Sequence, residues 1–237
     1  MSEKQIIAKD IKKSFGRLKV LNGINLTINQ GDIYILFGSN GAGKTTFVKI
    51  LSTILLPDSG DLSLFGERIK RRSKEIKARI GFMSHEPYLY KELTAFENLN
   101  FYSNLYSIED KKERIEGLLK EVGLYHRSHD RVGSFSRGMK QRLSLARAIL
   151  HSPDIIFMDE PYTGLDIKAQ EILNKIITSL NQKGKTFFLI THDVGKGFEI
   201  ANRSGILSKG QISYEVERGD KKSFLDKYRE IVKGEII

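Results

Sequence analysis

The sequence predicts an α/β fold: a core built on a mainly parallel sheet, an antiparallel β subdomain near the N-terminus, and an inserted helical subdomain. Three observations carry this. Short apolar strand-type runs (Ile33–Phe37, Ile80–Met83, Asp154–Met158, Thr186–Thr191) alternate with helix-type segments, the pattern of buried parallel strands joined by crossover helices. The opening third is instead dense in short β runs and turns. The stretch from Thr94 to Leu150 reads as helix almost throughout. The 237 residues suffice for one large α/β domain. Within it, 1–84 and 151–220 read as the core with its β subdomain, 85–150 as the helical subdomain, and 221–237 as a C-terminal helix.

In chain order, Ile6–Asp10, Leu26–Ile28 and Ile33–Phe37 read as strands, and a glycine-rich loop then opens into a helix over Lys44–Ser52. Pro57-Asp58-Ser59-Gly60 is a turn before a strand at Leu62–Phe65. Thr94-Ala95-Phe96-Glu97 has the form of a capping box, with Thr94 as N-cap and Glu97 three residues on. A second helix is expected over Glu109–Val122, closed by Gly123. A third begins near Ser136 and places Met139, Leu143, Ala146 and Leu150 on one stripe. Helices at Ile167–Leu180 and Val194–Ala201, strands near Ile206 and Ile212, and a polar terminal helix complete the reading.

Composition excludes several classes. There is no cysteine, so disulfides, thiolate metal sites and cysteine nucleophiles are absent. The N-terminal Met1-Ser2-Glu3-Lys4-Gln5 lacks the apolar core of a secretory signal. No apolar run approaches the roughly 20 residues that span a bilayer, so the chain is expected to be soluble and not to cross a membrane by itself; if it serves transport, the pore must be another chain. The formal net charge is +10, which suits nucleic acid, an anionic lipid surface or an anionic substrate. The densest basic stretch, Arg68–Arg79, has no interleaved aromatics. It reads as a solvated helix face, and no nucleic-acid partner is expected.

The strongest chemical signal is Gly38-Ser39-Asn40-Gly41-Ala42-Gly43-Lys44-Thr45, followed by Thr46. It has the form G-x-x-x-x-G-K-[ST], with a strand before it and a helix after it. Its glycines let the backbone wrap a phosphate and aim N–H groups at it, and the helix start adds its positive end. Lys44 can bridge the β- and γ-phosphates of ATP, and Thr45 can offer a hydroxyl to Mg²⁺. Asp159 and Glu160 end the apolar strand Ile155–Met158, on the sheet edge where ligands of parallel sheets bind. Asp159 is then a candidate Mg²⁺ holder and Glu160 a candidate to orient or deprotonate the attacking water. A plain Asp-Glu pair capping the turn before Pro161 is the alternative.

Further motifs narrow the family. Ser134-Phe135-Ser136-Arg137-Gly138-Met139-Lys140-Gln141-Arg142 resembles the signature of ATP-binding-cassette (ABC) ATPases, with Phe and Met where that family usually has Leu and Gln. Gly164-Leu165-Asp166 resembles its D-loop, Thr191-His192-Asp193 its switch histidine, and Phe15 falls where the family stacks an aromatic on adenine. The resemblance spans about residues 5 to 215. It implies a single ABC ATPase domain, with ATP and Mg²⁺ as ligands, that hydrolyses ATP to drive transport. It further implies an ATP-dependent pair with a second copy, in which Ser136 and the Gly138 amide contact the partner's γ-phosphate. His192 would contact the γ-phosphate, and Asp166 would cross the pair's axis. A separate transmembrane permease would hold the chain at the cytoplasmic face of the membrane.

One position departs from the family. His85, in Ile80-Gly81-Phe82-Met83-Ser84-His85-Glu86-Pro87, stands where glutamine normally touches Mg²⁺. Histidine titrates near neutral pH and is a poor ligand for a hard cation, so His85 is expected to substitute through a bridging water. The same His, with Pro87 and Leu93–Leu99, looks like the ATPase subunit of the heme exporter of cytochrome c maturation. The Ser-Arg-Gly-Met variant is shared with ABC-2-type exporter subunits, so heme, drug and polysaccharide export all stay open. Tyr88-Leu89-Tyr90 falls where such subunits dock a permease helix, or is ordinary subdomain packing. The alternative function is a non-transport ABC ATPase such as an iron–sulfur assembly subunit. Chromosome-organising heads are disfavoured because no sustained heptads lie between Thr45 and Ser134.

Overall fold

Two sheets and a block of helices make up the chain, of which the structure, a computed structural model, describes residues 3–69, 73–217 and 219–233. The N-terminal sheet is antiparallel. Its strands β1 (Lys4–Phe15) and β2 (Leu18–Asn29) form a hairpin that turns at Gly16-Arg17. After β3 (Ile33–Phe37) and helix α1 (Lys44–Leu51), the chain returns as β4 (Ser59–Leu64), which pairs with β1 and with the short β5 (Glu67–Arg68).

The hairpin strands are far longer than Ile6–Asp10 and Leu26–Ile28. Ile6, Ala8 and Ile11 on β1 and Leu21, Ile24, Leu26 and Ile28 on β2 face the core. Register shifts between Ala8 and Ile11, where Asp10 takes φ 49°, break the period-2 pattern that a linear reading follows. Polar residues such as Lys9 and Lys12 then occupy the open face.

The second sheet holds β6 (Ile80–Met83), β7 (Ile155–Asp159), β8 (Thr186–Thr191), β9 (Arg203–Ser208) and β10 (Gln211–Glu217) together with β3, in the order β10-β9-β3-β8-β7-β6. All its pairings are parallel except β10 with β9. Strands β3, β7 and β8 are buried along their whole length, as strands covered on both faces must be. Their alternation splits two cores. Ile33, Ile35 and Phe37 face the helical side, while Tyr34 and Leu36 face α1 and the N-terminal sheet.

Helices α2 (Lys74–Ala78), α3 (Ala95–Leu105), α4 (Lys111–Glu121) and α5 (Arg137–Ile149) lie between β5 and β7, with single 3₁₀ turns at Tyr125–Arg127 and Val132–Ser134. The capping box at Thr94 is formed: its hydroxyl accepts from the Glu97 amide at 3.1 Å, and the Glu97 carboxylate accepts from the Thr94 amide at 2.8 Å. Helices α6 (Ile167–Gln182), α7 (Val194–Gly197) and α8 (Lys221–Lys233) complete the chain.

Two expectations need correction. The helix expected over Val194–Ala201 is one turn, α7, containing two glycines of low helix propensity. The basic stretch is not one helix face: Arg68 belongs to β5, residues 70–72 lie outside the described residues, and only Lys74–Ala78 is helical. Arg79 is engaged, with its guanidinium 3.7 Å from the Phe65 ring centre and 2.8 Å from the Asp154 carboxylate.

Candidate active site

Parallel strands deliver their C-terminal ends to one edge, and here that edge collects Phe37, Met83, Asp159 and Thr191. The loop after β3 is shaped by glycine. Gly41 and Gly43 have φ of 84° and 103°, a region L-residues rarely enter. A β-carbon on Gly43 would also lie 2.8 Å from Leu21 Cδ2 and 2.9 Å from the Val20 carbonyl. Helix α1 starts at Gly43 with no side-chain cap and no acidic residue in its first turn. Its leading N–H groups and positive end are thus suited to an anion.

Lys44 is buried, 6% exposed, and its Nζ donates to the carbonyls of Gly38 at 2.8 Å and Ser39 at 2.9 Å. The loop thus folds around its own cation. Thr45 Oγ1 donates to Asp159 Oδ1 at 3.3 Å. Burial pushes the Asp159 carboxyl above its ordinary value; the Thr45 hydroxyl opposes the shift and the Glu160 carboxylate adds to it, while Lys49 and His85 lower it. A desolvated carboxylate beside a hydroxyl is an oxygen donor pair that suits Mg²⁺, a hard cation. Among the described residues no cluster of three or more His, Cys, Asp or Glu could hold a metal alone, so further oxygen ligands must come from water and substrate phosphates.

Glu160 is set apart from its neighbour by the backbone. At φ 51° it leaves the strand in the left-handed region, which costs a non-glycine residue about 1–2 kcal/mol. Its amide still donates to the Ile190 carbonyl at 2.9 Å. Its carboxylate spans two groups: Oε2 accepts from Thr191 Oγ1 at 3.1 Å, and Oε1 lies 3.0 Å from His192 Nδ1. Thr191 Oγ1 also accepts from the Asp193 amide at 3.2 Å, tying the loop after β8 to the same group.

Asn40, Gly41, Gly43, Lys44, Thr45, Thr46, His85, Asp159, Glu160 and His192 line one cleft of about 640 Å³, a size ordinary for small-molecule sites (about 300–1,000 Å³). Gly38 and Ser39 contribute carbonyls to Lys44, and Ala42 is buried behind the loop. Val20, Lys49, Ser84, Glu86, Tyr88 and Thr163 also line the cleft and were not anticipated. Their positions follow from tertiary folding, and no local pattern marks them.

Besides Gly38, Ser39 and Ala42, four further predicted residues lie outside this lining. Phe15 stands half exposed at the hairpin tip, with Lys13 Nζ 5.7 Å from its ring centre. Ser136 caps α5 by accepting from the Met139 amide at 3.2 Å, and a β-carbon on Gly138 beside it would lie 3.7 Å from Leu165 Cδ2. Asp166 caps α6, accepting from the Ala169 amide at 2.8 Å. These last two regions touch, since a β-carbon on Gly164 would lie 2.4 Å from Arg137 Cδ.

A glycine loop between a buried parallel strand and a helix, a lysine inside it, and an Asp-Glu pair at the end of a neighbouring strand define a P-loop nucleoside triphosphatase. The family model for the ABC transporter matches residues 21–163. The chain belongs to the ABC transporter family, as an ATP-binding, ATP-hydrolysing domain. It is similar to the bacitracin transport ATP-binding protein BcrA of Bacillus licheniformis, 38% identical over 87% of this chain and 68% of that protein. It is also 36% identical to the ABC transporter ATP-binding protein NatA of Bacillus subtilis, over 83% of this chain and 81% of NatA. Among solved structures it resembles the dimeric ATP-binding cassette MJ0796 in a post-hydrolysis state bound to ADP and Pi, with a TM-score of 0.83 and 26% identity over 91% of this chain and 99% of that one.

Proposed function

We propose that the chain is the ATP-hydrolysing subunit of an ABC-2-type exporter, working as a pair of like chains that drives a separate membrane permease. One observation carries the catalytic part: Glu160 is held between Thr191 and His192 at the mouth of the phosphate loop. In this reading Lys44 leaves its loop carbonyls for the β- and γ-phosphates of ATP. Thr45 and Asp159 hold Mg²⁺, which neutralises charge on the phosphates when bound. Glu160 orients the attacking water and receives its proton, and His192 holds that water against the γ-phosphate. His85 reaches the same region through a bridging water.

Ser136 and Gly138 present a second helix N-terminus outside the chain's own cleft. They serve the nucleotide of a second copy, Asp166 lies near the pair's axis, and Phe15 stacks on the adenine. Support for the pairing comes from the dimeric cassette described above and a second dimeric structure of the same protein. Export is supported by relatives named for bacitracin transport, linearmycin resistance and Nod factor export. Among the described residues no helix is long and apolar enough to cross a membrane. In this reading the pore belongs to the permease, which holds the pair at the cytoplasmic face.

The test is turnover of ATP with Mg²⁺ by the purified chain. Glu160→Gln keeps the size and loses the base, and steady-state hydrolysis should fall at least about a hundredfold. A variant hydrolysing at the wild-type rate would remove Glu160 from the mechanism.

A further inference from the structure

The terminal helix α8 bears on the catalytic edge through three residues, Lys221, Phe224 and Tyr228, spaced so that they share one helix face. Lys221 Nζ reaches the Gly195 carbonyl at 3.3 Å and the Glu199 carboxylate at 3.0 Å, pinning α8 to the segment that follows His192. Phe224 is 1% exposed, its ring edge-on to Phe37 at 5.3 Å and 4.9 Å from Phe198. Phe37 is the last residue of β3, directly before Gly38, and it is paired in register with Thr191, directly before His192. Phe224 therefore packs beneath the roots of both the phosphate loop and the histidine loop. One turn further on, the Tyr228 hydroxyl donates to the His192 carbonyl at 3.5 Å.

His192 is thus held from two sides. Its ring meets Glu160 and its carbonyl meets α8, while its side chain remains about half exposed, at 53%. We propose that α8 sets the position of the histidine loop and that Tyr228 is a positioning residue for hydrolysis, acting through His192. Tyr228 reaches the cleft through the carbonyl of His192, which lines it, so its effect belongs on the chemical step, while nucleotide affinity stays with the phosphate loop. The inference rests on the proposed role of His192.

The experiment is a double-mutant cycle on the full chain, with His192→Ala, Tyr228→Phe and the pair, following kcat, KM for ATP and the thermal midpoint. Tyr228→Phe deletes only the hydroxyl, so folding should be retained, with a thermal midpoint within about 2 °C of wild type. Its kcat should fall roughly 3–10-fold with KM changed less than about twofold. Added to His192→Ala, Tyr228→Phe should have no further effect, because residues acting as a unit are non-additive. An unchanged kcat for Tyr228→Phe, or an equal loss in both backgrounds, would overturn the positioning role. A His192→Ala variant with wild-type kcat would instead overturn the role of His192 itself.

Discussion

Asp159 and Glu160 are adjacent in sequence and sit in different surroundings: one is 3% exposed against Thr45, the other is turned out by a left-handed backbone toward Thr191 and His192. Burial holds the Asp159 carboxyl above its ordinary value of 3.8. The folded chain therefore keeps that proton to higher pH than the unfolded chain. The cost of ionising the buried group is absent below the ordinary value and fully present once pH exceeds the raised one. Asp159→Asn should accordingly raise the thermal midpoint of the nucleotide-free protein at neutral pH, leave it nearly unchanged in acid, and abolish hydrolysis, a site that trades stability for chemistry. A lower midpoint at neutral pH would contradict this. His85 is exposed at the same cleft. If it works through a bridging water, His85→Gln keeps ATPase activity, and an inactive variant would exclude that account.

Among the elements, the packing of β6 against α5 joins the catalytic sheet to the helical block. A β-carbon on Gly81 would lie 2.3 Å from the Ala148 carbonyl, and backbone cannot yield as a flexible side chain can. Gly81→Ala should lower the thermal midpoint by roughly 4–10 °C, the scale of overpacking in a chain of this size. Gly117 is the internal comparison. It lies within α4 with open space around it, and Gly117→Ala should stabilise by about 0.5–1 kcal/mol through helix propensity. A thermal melt showing equal effects would refute the distinction.

The same scale explains what the sequence made legible. The loop after β3, the Asp-Glu end of β7 and the end of β8 were readable because phosphate chemistry demands fixed residue types where parallel strands end. The buried strands β3, β7 and β8 read correctly because both their faces are covered. The β1–β2 hairpin is longer than its sequence pattern suggests because register shifts interrupt its alternation, and α7 is shorter because two glycines end it early. Val20 and Thr163 reach the cleft only through folding. The terminal helix reads from the sequence only as polar; its face of Phe224, Leu225, Tyr228 and Ile231 emerges once those side chains are found packed on the core.

At the scale of the whole molecule, helices α1 and α5 each begin without an acidic residue in the first turn, α1 inside the cleft and α5 outside it. Neither α5's capping serine nor Gly138 lines the cleft of its own chain. The pairing proposal accounts for this: each cleft is completed by the α5 tip of a second copy, and the γ-phosphate supplies contacts that ADP lacks, so nucleotide state selects the closed pair. The chain contains no cysteine, which makes the claim directly testable. Protomers carrying Glu160→Gln with either Asn40→Cys in the phosphate loop or Arg137→Cys at the α5 tip are mixed and oxidised. With ATP and Mg²⁺ the account predicts a rapid disulfide between unlike protomers, and little with ADP. Cross-linking that is absent with ATP, or equal with ADP, would contradict it.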